Sequence, residues 1–217
     1  MIHIKKDQWF SDVYGRAIYL MDVLRHPEPA YLSMSSDEKD RFRQTQCDVG
    51  EVIRILGAHL DFALVMKWDG VIGWVPAAAV NIDADIHAYI PVESLGQSSD
   101  VFFQYWYATP YIWGGITRAG IDCSGFTQRY YYDVLAKSIP KNSYDQRRLG
   151  RSKKILEVVN HDLIFCTRKG GRGIHHVGIY FEGDVWHAHS ERGVTCQSMA
   201  EFLANYEVLQ VADIVEK

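Results

Sequence analysis

The sequence contains few cysteines, and their spacing argues against two common kinds of site. Its 217 residues include four, at positions 47, 123, 166 and 196, and no two of them form a CxxC pair. Structural zinc sites and disulfide frameworks need closely spaced or numerous cysteines. The sequence therefore predicts neither, and we expect no metal and no other cofactor.

Long apolar runs and blocks of one charge are missing as well. No stretch approaches the roughly 20 apolar residues that a membrane helix needs, and residues 1–15 lack the apolar middle of a secretion signal. The net charge is −4, without a Lys- or Arg-rich block, which argues against nucleic acid or an anionic membrane as a partner. We expect a cytoplasmic location, unless a signal ahead of Met1 has been removed. The sequence does not indicate an oligomeric state.

The first 85 residues predict a small all-β barrel. Residues 51–57 and 63–76 are typical of short strands, and Asp69-Gly70 suits a tight hairpin turn within the second stretch. Ser35 and Glu38 have the spacing of a capping box, which predicts a short helix in an otherwise polar loop. Closely spaced strands separated by turns favour a barrel.

The rest of the chain predicts a linker followed by an α+β domain. Residues 86–97 are mixed in composition and poorly periodic, which is typical of a linker. In residues 98–217, helical patterns come first and a run of strand patterns follows, an order that indicates an α+β domain. A first helix should start at Ser98 or Ser99 as N-cap and end before Thr109-Pro110.

Three more helices and three strands complete this second domain, and the first of these helices contains Cys123. One short helix should begin with Ser143, because Gln146 stands at capping-box spacing from it. From Asp162 onward, three apolar runs read as strands and residues 198–206 as a final helix. Cys166 ends the first of these runs, so we expect it in the core of a strand.

Cys123 stands at the first turn of a predicted helix, where its sulfur has two interpretations. The exposed N–H groups of a helix start favour negative charge, and a thiolate is the reactive form of cysteine. A buried cysteine that acts as a small apolar side chain is the alternative. One position cannot decide between them.

A cluster of histidines supplies a candidate base for this thiol. Residues 175–190 contain four of the nine histidines in two adjoining strand patterns. His176 shares a strand face with Gly178, which should leave open space beside the imidazole, and His187 or His189 on the next strand could lie next to it. A thiol, a base and a third polar group form a generalised catalytic triad. Satisfied surface histidines and a metal site are the alternatives, the latter without an HExxH motif.

Several stretches then resemble a known family in order and spacing. "TPYIWGG", "GIDCSGFTQ" and "HHVGIYFEGDVWHAHS" are similar to motifs of the NlpC-type cysteine peptidases, which are papain-like enzymes acting on cell-wall peptides. This resemblance runs from about Ser98 to Tyr206. The first half, above all "KWDGVIGWVP", resembles the bacterial SH3-like domains that accompany such enzymes.

The resemblance implies a role for six residues. Cys123 matches the nucleophile, His176 the base and His187 the residue that orients the base, while His189 remains an alternative orienter. Tyr111 matches a tyrosine near the oxyanion site, and Asp122 and Ser124 match substrate-contacting positions. Because a carboxylate next to the thiol disfavours the thiolate, Asp122 is either a substrate contact or a helix cap.

Two departures from the family pattern stand near this site. Lys141 occupies a position where arginine is common, and we expect it to have no bearing on the mechanism. The segment between His176 and His187 is about one residue short, which a tight turn at residues 182–184 would accommodate.

The resemblance implies a thiol protease of the γ-D-glutamyl-L-diamino acid endopeptidase class. Its substrate would be a murein tripeptide or another cell-wall peptide, cut between D-glutamate and meso-diaminopimelate or L-lysine. Relatives without an export signal recycle such peptides and require a free N-terminal L-alanine. The acids Asp37, Glu38 and Asp40 of the polar loop could reach that amine, although a solvated loop is the simpler interpretation.

Three other functions stay open from the sequence. The first is an exported peptidoglycan hydrolase that would use the barrel as a wall anchor. The second is a protein that binds wall peptides without cleaving them. An acyltransferase or amidase acting on another substrate is the third, since a fold does not determine a substrate.

Overall fold

A computed structural model of the protein describes residues 8–88 and 96–214, which fall into two compact units. The boundary between the units lies at residues 93 and 94. Most of the linker predicted at residues 86–97 therefore lies outside the described residues.

The first unit is a seven-stranded antiparallel sheet with one helix. The strands are β1 (Gln8–Ala17), β2 (Met21–Leu24), β3 (Arg43–Cys47), β4 (Val52–His59), β5 (Phe62–Met66), β6 (Ile72–Pro76) and β7 (Val80–Ile82), and the helix is α1 (Ser36–Phe42). Their order is β3-β2-β6-β5-β4-β1-β7. The all-β class is confirmed. Within residues 8–88, no pairing joins β3 to β7, so the strands of the predicted small barrel form a sheet that is not closed.

The hairpin turn and the helix cap that the sequence predicts in this unit are both present in the structure. β5 and β6 form the expected hairpin, in which Gly70 takes a positive φ of 82° that glycine adopts without strain. Ser35 caps α1, and its backbone N–H donates to the Glu38 carboxylate at 2.9 Å. The Asp40 carboxylate pairs with Arg43 at 2.8 Å. Two of the three loop acids thus have partners within the unit.

The second unit is an α+β domain built on a six-stranded sheet, as predicted. Its helices are α2 (Ser99–Trp106), α3 (Cys123–Leu135), α4 (Ser143–Gln146) and α5 (Met199–Asn205). A short ribbon pairs β8 (Ile116–Thr117) with β9 (Gly120–Ile121). The sheet strands are β10 (Arg151–Lys153), β11 (Leu163–Arg168), β12 (His176–Phe181), β13 (Asp184–His189), β14 (Gly193–Ser198) and β15 (Tyr206–Asp213). They are antiparallel in the order β10-β15-β11-β12-β13-β14.

Helices cover both faces of this sheet. Because side chains alternate along β11, Phe165 faces the helices α2 and α3, while Cys166 faces α5. Cys166 is fully buried beside Phe202 of α5, as a strand-core residue should be. No helix in the described part of the chain is long and apolar enough to cross a membrane.

The cap of α4 differs from the sequence prediction by one residue. The N-cap is Asn142, and Ser143 already has helical geometry. Gln146 does not close a capping box, because its amide donates to the backbone carbonyls of Ser124 and Pro140 at 2.9 and 2.8 Å. The Gln146 side chain therefore makes a tertiary contact instead of a local capping contact. Its bond to the Ser124 carbonyl connects α4 to the first turn of α3.

Candidate active site

Cys123 is the first residue of α3, and the chain around it directs backbone N–H groups at its sulfur. Asp122 is the N-cap residue, and its carboxylate accepts a 2.6 Å hydrogen bond from the Gly125 N–H. The backbone N–H groups of Val177 and Ser124 both lower the pKa of the Cys123 thiol, so they lie near its sulfur. Val177 directly follows His176, so the fold brings the candidate nucleophile to the start of the strand that carries the candidate base.

Glycines make this close approach possible. Gly114 has a positive φ of 74°, and its N–H donates to the second Asp122 oxygen at 2.7 Å. A Cβ on Gly125 would lie 2.4 Å from the Gly115 carbonyl oxygen. The glycines of "WGG" and "DCSG" thus let the loop before β8 pass against the first turn of α3.

Asp122 and Ser124 face into the protein around a buried lysine. Lys141 Nζ lies 2.7 and 2.8 Å from the two Asp122 carboxylate oxygens, and its side chain is 2% exposed. The Ser124 hydroxyl donates to Asp122 at 3.1 Å. With its oxygens occupied by protein donors, Asp122 has the surroundings of a helix cap rather than those of a substrate contact. Lys141 neutralises the carboxylate next to Cys123, so it supports the helix cap of the site.

His176, His187 and Gln197 form a hydrogen-bonded relay. His176 Nε2 lies 2.8 Å from His187 Nδ1, and His187 Nε2 lies 2.8 Å from Gln197 Oε1. A carboxamide oxygen can only accept, so His187 carries its proton on Nε2 and accepts from His176 through Nδ1. Neutral His176 then carries its proton on Nε2. Its Nδ1 is left unprotonated, which is the state that a general base requires.

The other two histidines of this segment bond elsewhere. His189 Nδ1 accepts from the Glu191 backbone N–H at 3.1 Å, and His175 Nε2 donates to the carbonyl of Arg172. His187 is therefore the ring that partners His176. The turn between them is the tight one expected, with Glu182 and Gly183 both at positive φ.

Gly178 does not leave the open space that its position predicted. A Cβ at Gly178 would lie 2.7 Å from Val185 Cγ1 and 3.3 Å from His187 Cβ. The glycine instead lets β13 pack tightly on β12, which brings His187 within reach of His176. The expectation was wrong because the neighbouring strand fills the volume.

Burial sets the protonation of these groups. Burial, and after it the Asp122 carboxylate, raises the pKa of the Cys123 thiol to about 12, although the Val177 N–H and Lys141 act in the opposite direction. Burial also lowers the pKa of His176 well below its ordinary value, and lowers that of His187 to about 4. These shifts favour the neutral thiol and the neutral imidazoles in the free protein.

A cavity of about 340 Å³ gives a substrate access to the base. His176, Tyr111 and Tyr206 all line it. The rings of His176 and Tyr206 are stacked, with centroids 5.1 Å apart and planes at 16°. The structure thus places Tyr111, the proposed oxyanion donor, on the wall of the same cavity as the base.

The histidines of this site are arranged as hydrogen-bond partners. Across residues 8–88 and 96–214, no three His, Cys, Asp or Glu side chains are grouped as a metal site would require. The relay nitrogens of His187 are both occupied by protein partners.

Gln197 is the site residue that sequence reasoning missed. It lies on β14, next to the strand of His187, and is 7% exposed. Its sequence signal is weak: a polar residue in a strand, ten positions after a histidine. Strand pairing, which the sequence does not specify, brings the two side chains together.

We predict that Gln197→Leu lowers kcat by about 10²-fold, because the wrong histidine tautomer disables a base of this kind. Loss of the acceptor frees His187 to move its proton to Nδ1, which would then oppose the Nε2 proton of His176. The measurement is kcat together with the ¹⁵N shifts of both rings. Gln197→Glu is the matched control, since its carboxylate still accepts from His187 and should keep most activity. Full activity in Gln197→Leu would show that the relay does not set the tautomer.

Comparison with known proteins places the second unit in a family. The NlpC/P60 family profile matches residues 108–213. A probable endopeptidase of Haemophilus influenzae is 37% identical over 95 residues, which are 43% of this chain and 59% of that protein. Murein DD-endopeptidase MepS/Murein LD-carboxypeptidase of Escherichia coli is 35% identical over 113 residues, covering 51% and 59%. Gamma-D-glutamyl-L-lysine dipeptidyl-peptidase of Bacillus subtilis is 40% identical over 75 residues, covering 34% and 25%. The matches to the first two span less than two thirds of those proteins.

Two solved structures resemble this chain in fold over most of its length. An NlpC/P60 family protein from Bacillus cereus has a TM-score of 0.73 at 18% identity, covering 93% of this chain and 99% of its own. An NlpC/P60 endopeptidase from Photobacterium damselae has a TM-score of 0.63 at 11% identity, covering 95% and 74%. Cys123, His176, His187 and Gln197 all lie within residues 108–213, and the resemblance of this region to the NlpC-type cysteine peptidases is confirmed. Residues 108–213, just under half of the chain, form a domain of the NlpC/P60 family.

Proposed function

We propose that this protein hydrolyses the amide bond between the γ-carboxyl of D-glutamate and a diamino acid in cell-wall peptides. The observation that carries the proposal is the relay from Gln197 through His187, which leaves His176 Nδ1 unprotonated. Cys123 stands at a helix start beside the residue that follows His176. A thiol, a base and an ordered partner suit acyl transfer through a covalent intermediate.

In the proposed mechanism, the Cys123 sulfur attacks the γ-carbonyl carbon while its proton passes to His176 Nδ1. The hydrogen bond to His187 stabilises the resulting imidazolium, and the N–H of Cys123 with the Tyr111 hydroxyl stabilises the oxyanion. His176 then gives the proton to the leaving amine as the C–N bond breaks, which leaves a thioester. Water, deprotonated by His176, attacks the thioester and releases the acid and the thiol.

The substrate class is supported by the Bacillus subtilis relative, which is named for the γ-D-glutamyl-L-lysine bond. We propose that a free N-terminal L-alanine is required, that the N-terminal unit imposes this requirement, and that the enzyme recycles short peptides in the cytoplasm. The Escherichia coli relative, named for DD-endopeptidase and LD-carboxypeptidase activities, makes those two bonds the competing candidates.

We predict that acetylating the N-terminus of L-Ala-γ-D-Glu-meso-diaminopimelate lowers kcat/KM at least about 10²-fold, because an unpaired buried polar group in the site is costly. Release of diaminopimelate, followed by chromatography, is the measurement. Acetylation of the diaminopimelate side-chain amine is the matched control, since it adds the same group away from the alanine.

Equal rates for the free and the N-acetylated peptide would contradict the requirement and favour an exported hydrolase that acts on the wall. Cleavage of a DD-cross-linked peptide or an LD-tetrapeptide without cleavage of the γ-D-glutamyl bond would contradict the proposed specificity. Tight binding of all these peptides without any cleavage would indicate a binding protein.

A further inference from the structure

The cavity beside His176 is lined by two arginines that the relay does not use. Arg168 ends β11, and Arg172 lies in the loop that leads to β12. Both line the cavity together with His176 and Ser190. Their two guanidinium groups give this wall a positive charge next to the catalytic base.

The arginines keep most of their hydrogen-bonding capacity for a ligand. One Arg168 nitrogen donates to the Ser190 hydroxyl at 3.1 Å, which uses one of five N–H donors. In the described part of the chain, neither guanidinium is paired with a carboxylate, and no Asp or Glu lines the cavity. Arg168 also acts electrostatically on the base. Burial lowers the pKa of His176 most, followed by the neighbouring His187 and His189, and Arg168 has a smaller effect in the same direction.

The position of the two arginines indicates which part of a substrate they would contact. His176 returns the proton to the leaving amine, so the leaving nitrogen must come within hydrogen-bond reach of that ring. The residue attached to this nitrogen then occupies the cavity that His176 lines. For the proposed bond, that residue is the diamino acid.

We propose that Arg168 and Arg172 form a carboxylate subsite that selects an acidic diamino acid, diaminopimelate, over lysine. The inference rests on the proposed function. At the end of a tripeptide, diaminopimelate carries two carboxylates, one on the main chain and one on the side chain, whereas lysine carries one. Guanidinium groups bind carboxylates through paired N–H donors. Two arginines therefore match two carboxylates, and lysine would leave one arginine without a partner.

The test compares three tripeptides that differ at the third residue. L-Ala-γ-D-Glu is followed by meso-diaminopimelate, by diaminopimelate amidated at its side-chain carboxyl, or by L-lysine. We expect kcat/KM for the acidic peptide to exceed that for the amidated one at least tenfold, mainly through KM. Arg168→Gln and Arg172→Gln should each reduce this ratio at least fivefold. Lys169→Gln is the matched control, because Lys169 is an exposed cation next to Arg168 that does not line the cavity.

Binding of the same peptides to Cys123→Ala, measured by calorimetry, separates this proposal from the proposed function. If the wild-type protein cleaves none of the peptides, the proposed function fails, and the affinity ratios still decide the subsite. If both arginine variants keep the wild-type preference in cleavage and in binding, the subsite is overturned. A preference that falls equally in Lys169→Gln would overturn it too, since general charge would then be the cause.

Discussion

Replacing Cys123 by alanine should lower kcat at least about 10³-fold, because removal of the nucleophile from a covalent mechanism abolishes its two chemical steps together. The other parts of the site stay in place. Gly125 N–H still bonds to Asp122, and the relay from His176 does not include the sulfur. The free energy of unfolding should change by about 1 kcal/mol, as for an ordinary core truncation. The measurements are kcat on the diaminopimelate tripeptide and denaturant unfolding.

The matched control is Cys166→Ala. Cys166 is a free, fully buried cysteine of the same unit, on the face of β11 that packs against α5. Its truncation should cost similar stability and leave kcat within about threefold, since a moderate loss of core packing leaves a folded site intact. Equal losses of activity in both variants, or substantial turnover by Cys123→Ala, would remove Cys123 from the mechanism.

Replacing Lys141 by methionine should destabilise the protein by about 3–5 kcal/mol, the usual cost of leaving one partner of a buried ion pair alone. Lys141 and Asp122 are both nearly inaccessible to solvent, so water cannot replace the lost ammonium. Asp122 is also the cap of α3, and its unneutralised charge would stand directly beside Cys123. We expect a lower midpoint in denaturant, and slower turnover because a negative neighbour opposes ionisation of sulfur.

Two further variants test the physical reason for this loss. Lys141→Arg keeps the charge and should keep most of the stability. Adding Asp122→Asn to Lys141→Met removes the unpaired carboxylate. The double variant should regain at least half of the lost free energy of unfolding, because a neutral asparagine cap still accepts a hydrogen bond from the Gly125 N–H. A loss below about 1 kcal/mol in Lys141→Met, the value of an exposed pair, would contradict the buried-pair account.

The features that could be predicted from the sequence depend on residues close together in the chain. The Asp69-Gly70 hairpin, the Ser35 cap and the start of α3 at Cys123 each follow from a few neighbouring residues. The open sheet, the partner of Gln197 and the burial of Lys141 depend on which distant segments pack together. Single-sequence patterns do not record those contacts.

Errors near the site have the same origin. The N-terminal position of Cys123 on a helix favours a thiolate, but burial by other elements raises its pKa. Gly178 suggested open space, but Val185 on the next strand fills it. The sequence did not predict that Lys141 would be buried against Asp122. In each case a tertiary contact outweighed the local rule.

The central claim, that Cys123 carries the γ-glutamyl group during turnover, can be measured directly. The protein is mixed with L-Ala-γ-D-Glu-meso-diaminopimelate, quenched in acid within the first turnovers, digested and examined by mass spectrometry. We expect an L-Ala-γ-D-Glu acyl group on the peptide that contains Cys123, and no such group in Cys123→Ala. Release of diaminopimelate with the acyl group on another residue, or with no acylated protein at any time in the first turnover, would contradict it.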